Sequence, residues 1–139
     1  MKIQNLEELD TPCLILDKSL LEKNCFKARK KCLELNTILR PHLKTPKSIE
    51  IAKIALDNQE GPITVSTLNE AEYFASAGFK DILYAVCIIP KKLKRLNFIQ
   101  QKYSCMIRMV IDSVFVAQEI LNYSKLHNAN FEILIEIDC

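Results

Sequence analysis

The chain has 139 residues, of which 49% are hydrophobic, enough for one domain with a sizeable core. Its formal net charge of +2 is spread along the chain, and no aromatic residues interleave with the densest basic cluster, Lys91, Lys92, Lys94 and Arg95, which argues against a nucleic-acid partner. No apolar run reaches the roughly 18 residues that a membrane helix needs, and the amino terminus has no apolar signal region, so we expect no membrane partner. The six cysteines form no C-x-x-C motif, which predicts a cytoplasmic protein without a cysteine-based metal site.

In the first part of the chain, the predicted elements are a strand at Cys13–Asp17, a helix at Ser19–Leu35, a strand at Thr37–Lys44, and a helix from Pro46 to about Asp57. Thr45 followed by Pro46 has the pattern of an N-cap and a first helical residue. Lys44 is therefore expected at the carboxyl end of a strand. Active sites of α/β barrels and open α/β sheets are found at this end.

In the remainder, the predicted elements are strands at Ile63–Ser66, Asp81–Cys87, Met106–Ile111 and Phe131–Asp138, and helices that begin at Thr67, near Pro90 and at Ser113. Thr67 and Glu70 match a capping box. About six strands, most of them entered from a helix, predict consecutive βαβ units in a parallel sheet.

A closed (β/α)8 barrel needs two more strands, so we expect residues 1–139 to be a truncated part of a TIM-type barrel. The alternative is a complete open, flavodoxin-like sheet. Gly61 and Gly78 are the only glycines, so that alternative lacks a glycine-rich phosphate loop.

Lys44 lies in a segment whose alternate residues Arg40, His42 and Lys44 share one face of the predicted strand. Burial and cationic neighbours both favour the neutral form of a lysine, which is the form that condenses with an aldehyde cofactor. The acids expected to balance these positive charges are Asp17, Asp112, Glu136 and Asp138. Each of these three residues also has an interpretation without a catalytic role. Lys44 is then a solvated surface lysine, His42 is a hydrogen-bonded core residue, and Arg40 pairs with a carboxylate.

Four motifs, in this order, cover essentially the whole chain: Leu9-Asp10-Thr11-Pro12 before a strand, Arg40-Pro41-His42-x-Lys44-Thr45-x-Lys47, Thr67-x-x-Glu70-Ala71-Glu72 with Ala77-Gly78, and Glu136-Ile137-Asp138. Together they resemble the amino-terminal barrel part of the D-threonine aldolase and D-serine dehydratase-like proteins. These are pyridoxal-phosphate enzymes of the alanine racemase fold.

The resemblance implies that Lys44 forms the Schiff base with pyridoxal 5′-phosphate (PLP), with His42 and Arg40 near the cofactor. It implies a lyase that acts on a small D-amino acid, and a full-length protein that dimerises and is a candidate for a divalent metal. The family usually continues T-H-K where this chain has Thr45-Pro46-Lys47, which leaves the substrate and the reaction open. A non-catalytic PLP-binding protein of the same barrel type and an amino-acid racemase remain alternatives.

Overall fold

The computed structural model describes residues 5–137. In chain order, its helices are α1 (Lys18–Glu34), α2 (Ile49–Leu56), α3 (Leu68–Ser76), α4 (Leu93–Tyr103) and α5 (Val114–His127), and its strands are β1 (Ile63–Val65), β2 (Asp81–Tyr84), β3 (Met106–Ile111) and β4 (Ile133–Ile135). Short 3-10 turns at Leu6–Glu8 and Pro90–Lys92 complete the set. No helix among the described residues has the length and apolarity to cross a bilayer.

The four strands form one parallel sheet in the order β1-β2-β3-β4. Parallel neighbours need a crossover between them, and α3, α4 and α5 supply the three crossovers. The prediction of a parallel α/β sheet is therefore confirmed.

Alternate strand residues pack against the helices and form the hydrophobic core. On this face, Ile63, Val65, Ile82, Tyr84, Ile107 and Met109 are each completely buried. Phe74 of α3 and Leu96 and Ile99 of α4 pack into the same cluster and are equally buried. The strand residues between them point to the opposite side of the sheet.

We call this opposite side the inner face. By strand alternation and register it contains Arg40, His42, Lys44, Thr64, Ser66, Asp81, Leu83, Ala85, Arg108, Val110, Glu132, Leu134 and Glu136. The inner face is where polar and charged residues occur, so it is where chemistry can be sought.

The first two predicted strands differ from the structure. Cys13–Asp17 has no ladder partner, and Thr37–Lys44 is reduced to a single parallel bridge between His42 and Thr64. Strand propensity alone does not form a ladder, because a strand also needs a neighbour on which its amide groups can pair. The last predicted strand is shorter than expected, and its end at Asp138 lies outside the described residues.

One predicted helix start was wrong, and another is confirmed. Helix α2 begins at Ile49, and Ser48 is its N-cap because its Oγ accepts the Ile51 amide at 3.2 Å. Thr45 and Pro46 instead lie in a turn that precedes the helix. Helix α5 begins as predicted at Ser113, which is its N-cap because its Oγ accepts the Val116 amide.

Candidate functional site

Lys44 is positioned by the backbone pairing of the residues just before it. The Leu43 amide donates to the Thr64 carbonyl at 2.9 Å, and the Thr64 amide donates to the Pro41 carbonyl at 2.9 Å. These bonds hold residues 41–43 parallel to β1. Lys44 therefore follows directly after a paired segment, at the carboxyl-end side of the sheet, as the sequence predicts.

The chain turns sharply after Lys44. The Lys47 amide donates to the Leu43 carbonyl at 3.0 Å, and Lys47 has a left-handed backbone with φ of 42°. A residue with a side chain adopts this conformation at a cost, so the turn is defined by its hydrogen bonds and not by local preference. The turn separates Lys44 from the start of α2.

His42 is the immediate polar neighbour of Lys44. Its Nδ1 accepts the backbone amide of Lys44 at 3.2 Å, which leaves the proton of the neutral ring on Nε2. Nε2 lies 3.3 Å from Ser66 Oγ. Partial loss of hydration and the positive charge of Lys44 lower the pKa of His42, against a smaller opposing effect of Glu70. His42 is therefore held as a neutral ring in one tautomer.

The buried carboxylate of Glu70 holds the backbone of Ser66, the residue that faces His42. Glu70 is only 8% exposed, and its Oε2 accepts the Ser66 amide at 2.9 Å while its own amide donates to Thr67 Oγ1 at 3.1 Å. Its Oε1 lies 3.5 Å from Lys47 Nζ. The predicted helix cap at Thr67 and Glu70 is confirmed, and the cap also positions Ser66 beside His42.

Arg40 lies at the amino-end side of the sheet, where it enters a chain of ion pairs along the inner face. Its guanidinium donates to Asp81 at 2.8 and 3.1 Å and to the Ile63 carbonyl at 3.3 Å. Asp81 also accepts from Arg108, whose Nε lies 2.7 Å from Glu132. The alternative in which Arg40 pairs with a carboxylate is thus observed, while a contact of Arg40 with a cofactor stays a prediction.

Lys44 itself is exposed, contrary to the burial that the sequence argument assumed. Within residues 5–137 it forms no ion pair. Asp17, one of the acids expected to balance the charge of Lys44, is instead the N-cap of α1. Its side chain accepts hydrogen bonds from Ser19 Oγ at 2.7 Å and from the Leu20 amide at 3.0 Å, and these bonds lower the pKa of Asp17. Asp138 lies outside the described residues.

The two remaining acids lie next to Cys87 near the carboxyl ends of β2, β3 and β4. Loss of hydration, followed by the influence of the nearby Asp112 and Glu136 carboxylates, raises the pKa of the Cys87 thiol. A protonated thiol is a weak nucleophile and a poor metal ligand. No cluster of three potential metal ligands occurs within the described part of the chain.

Sequence reasoning missed three polar residues that lie on the inner face near the predicted site residues: Ser66, Asp81 and Arg108. Ser66 had a usable signal, because it is the last residue of the predicted strand Ile63–Ser66, which comes next in the chain after the predicted strand that carries His42. Arg108 also had a usable signal in the sequence, since a charged residue inside the apolar run Met106–Ile111 requires a partner. Their partners could be assigned only once the register was known.

Known proteins similar to this chain are named as dehydratases and aldolases. Over 94% of its length, the chain is 37% identical to a D-threo-3-hydroxyaspartate dehydratase of Delftia sp. (strain HT23), and over 97% it is 31% identical to a D-serine dehydratase of Dictyostelium discoideum. A D-threonine aldolase of Arthrobacter sp. is 28% identical over 96% of the chain. The chain is a homologue of the D-serine dehydratases and D-threonine aldolases. It spans about a third of the length of these relatives (34 to 36%), and no protein-family model matches it.

Solved structures give the same result for the fold. The chain superposes with a TM-score of 0.89 and 40% identity on an alanine racemase-like protein from Idiomarina loihiensis, covering 94% of this chain and 35% of that one. A D-threonine aldolase from Filomicrobium marinum gives a TM-score of 0.84 at 25% identity, covering 96% of this chain and 36% of that one. The sequence resemblance and the barrel-type fold are both confirmed.

Proposed function

We propose that the protein is a PLP-dependent lyase for D-amino acids that bear a β-hydroxyl, and that Lys44 forms the Schiff base with the cofactor. The observation that carries this proposal is the position of Lys44: a reachable primary amine at the carboxyl-end side of a parallel sheet, in a chain whose relatives are named as D-amino acid dehydratases and aldolases. D-serine, D-threonine and D-threo-3-hydroxyaspartate share a β-hydroxyl. That shared group supports the choice of substrate class.

The residues present fit covalent attachment of PLP. Lys44 is exposed and has no ion pair among the described residues, so its amine is available to an aldehyde. When bound, PLP supplies an electron sink for a carbanion at the substrate Cα. Asp112 and Glu136 at the strand ends are acids that could face the positive end of a bound substrate or cofactor.

His42 is proposed to act close to the cofactor through its position beside Lys44. Because Nδ1 accepts the Lys44 amide and Nε2 faces Ser66, the ring holds the backbone that carries the lysine. Arg40 is proposed as the more distant cofactor-side residue, held by Asp81.

Reductive trapping tests the lysine assignment. The chain is incubated with PLP, reduced with borohydride and mapped by peptide mass spectrometry, with Lys44→Arg and Lys47→Arg compared side by side. Lys47 is the matched control, because it is an exposed lysine three residues away that already pairs with Glu70. We expect label on Lys44, its loss in Lys44→Arg and its retention in Lys47→Arg. Label spread over the lysines according to exposure would refute the assignment.

Product analysis tests the reaction type. Dehydration of a β-hydroxy D-amino acid yields a keto acid and ammonia, while retro-aldol cleavage yields glycine and an aldehyde. Racemisation would give the L-amino acid without either product pair. The relatives include dehydratases and aldolases, so either lyase product pair, formed from the D- but not the L-substrate, favours the proposal, while the L-amino acid alone would contradict it. We expect low turnover from this chain alone, since it spans about a third of its relatives.

Three expectations from the sequence stay predictions: a cytoplasmic location, a homodimeric full-length protein, and a divalent metal in the full-length protein. Assignment of residues 1–139 to a partial PLP-binding barrel domain is likewise part of this proposal.

A further inference from the structure

The buried carboxylate of Glu70 is connected to both ends of the turn formed by residues 44–47. Glu70 is 8% exposed, and no other charged residue among residues 5–137 is as buried. Its Oε2 accepts the Ser66 amide at 2.9 Å, and its Oε1 lies 3.5 Å from Lys47 Nζ. A carboxylate removed from water is costly unless hydrogen bonds and an opposite charge compensate the lost hydration. These two contacts supply that compensation.

A helix cap alone does not account for both contacts. In a capping box, the side chain at the third helical position bonds to the backbone amide of the N-cap residue, and glutamine serves there as well as glutamate. Glu70 instead bonds to the amide of Ser66, one residue before the N-cap Thr67. Its second oxygen is paired with Lys47, which lies outside α3. The reach and the charge of Glu70 therefore serve contacts beyond its own helix.

The contact with Ser66 acts on the start of the turn. Ser66 Oγ lies 3.3 Å from His42 Nε2, and His42 Nδ1 accepts the Lys44 amide at 3.2 Å. The Ser66 hydroxyl can face the ring only while the backbone of Ser66 is held in place. The bond from the Ser66 amide to Glu70 therefore supports the alignment of His42 with the Lys44 amide.

The contact with Lys47 acts on the end of the turn. The Lys47 amide donates to the Leu43 carbonyl at 3.0 Å, in a left-handed backbone with φ of 42°. A residue with a side chain keeps this conformation only where its surroundings hold it. The Glu70 side chain is 10% exposed and that of Lys47 62%, so water screens this ion pair less than a pair with two exposed partners.

The same contacts leave the amine of Lys44 without a partner. Both carboxylate oxygens of Glu70 are engaged, one by the Ser66 amide and one by the Lys47 ammonium. A carboxylate paired with Lys44 would favour the charged ammonium, which cannot attack an aldehyde. Lys47 therefore neutralises Glu70 and keeps its charge from the Lys44 amine.

We propose that Glu70 is the positioning residue of this site: it clamps the turn at residues 44–47 from both ends and so fixes where the Lys44 amine is presented. Glu70 acts through Ser66 and Lys47, and no contact with substrate or cofactor is part of this role. The inference rests on the proposed function of Lys44, because it names the residue that holds that amine.

Amide hydrogen exchange tests the clamp without cofactor. In Glu70→Gln, the side-chain oxygen can still accept from Ser66, but the charge that pairs with Lys47 is lost. We expect the Lys47 amide to exchange about tenfold faster, because the turn opens more often. Glu70→Ala removes both contacts, so the Lys44 amide should exchange faster as well.

Glu72→Gln is the matched control, because it makes the same charge change on the same helix and its carboxylate pairs with Arg95 and Lys102 of α4. It should leave exchange in the turn at the parent rate. If Glu70→Gln behaves like this control, Glu70 is only a helix cap and the proposal is wrong. Glu70→Gln keeps the acceptor of the cap, so this comparison stands even if Glu70→Ala does not fold.

Reductive trapping tests whether the clamp matters to the amine. The initial rate of PLP labelling at Lys44 should fall about tenfold in Glu70→Gln and in Lys47→Met, because the amine is no longer held in one place. Lys47→Arg retains a cation for Glu70 and should label at the parent rate, as should Glu72→Gln. Faster exchange with an unchanged labelling rate would mean that Glu70 only stabilises the turn, which overturns the positioning role.

Failure of this inference and failure of the proposed function give different results. Label on a lysine other than Lys44 in the parent chain refutes the proposed function, and the exchange rates then decide by themselves whether Glu70 holds the turn. Label on Lys44 that persists at the full rate in Glu70→Gln refutes this inference and leaves the proposed function standing.

Discussion

Removal of the Asp81 carboxylate is the sharpest test of the inner-face ion pairs. Asp81 accepts two hydrogen bonds from Arg40 and one from Arg108, and the three side chains are only 24% to 35% exposed. In Asp81→Asn the side chain keeps its size but loses its charge, and two guanidinium groups then face each other with Glu132 as the remaining counter-charge.

The expected loss of stability follows from these exposures. Removing one partner of a buried pair costs about 3–5 kcal/mol, and a pair that is about one-third exposed is worth considerably less because water screens it. We therefore expect Asp81→Asn to lower the free energy of unfolding by about 2 kcal/mol. With a urea m-value of about 2 kcal/mol/M, the unfolding midpoint should fall by about 1 M.

Urea unfolding followed by circular dichroism at one fixed protein concentration measures the change. Asp57→Asn is the matched control, since Asp57 is exposed and has no ion pair among the described residues. Asp57 is also the C-cap of α2 with a left-handed backbone, a conformation that asparagine tolerates. Its effect should stay within about 0.5 kcal/mol. If Asp81→Asn costs no more than this control, the reasoning about the ion-pair chain is wrong. Arg40→Gln should also cost less in the Asp81→Asn background than in the parent.

Three further changes can be checked by the same unfolding assay. Ser48→Ala should cost about 1 kcal/mol and Thr45→Ala less than about 0.5, and the reverse order would contradict the assignment of Ser48 as N-cap. Phe74→Ala should cost about 3–5 kcal/mol because the ring is completely buried, and a loss under about 1 kcal/mol would mean that the core collapses around the gap. His42 has a lowered pKa in the folded protein, so protons bind the unfolded chain better and stability should fall as the pH drops below about 6.5. In His42→Gln this part of the pH dependence should disappear, and an unchanged pH profile would count against the neutral His42.

Local sequence signals determined much of this protein. The βα alternation, the helix cap at Thr67 and Glu70, and the position of Lys44 after an apolar segment all depend on residues close together in the chain, so a reading of the sequence could predict them. The order of motifs also predicted the relationship to D-serine dehydratases and D-threonine aldolases, which the comparisons confirm.

Tertiary structure decided what depends on pairing across the chain. Only the strand register brings Arg40 to Asp81 and Ser66 to His42, because these partners are distant in sequence and share one face of the sheet. The same reason explains why Cys13–Asp17 forms no ladder in spite of its apolar sequence: hydrogen bonds between strands require a neighbour, which propensity cannot supply. It also explains the exposure of Lys44, since burial depends on what packs over a side chain and not on the residues beside it in the sequence.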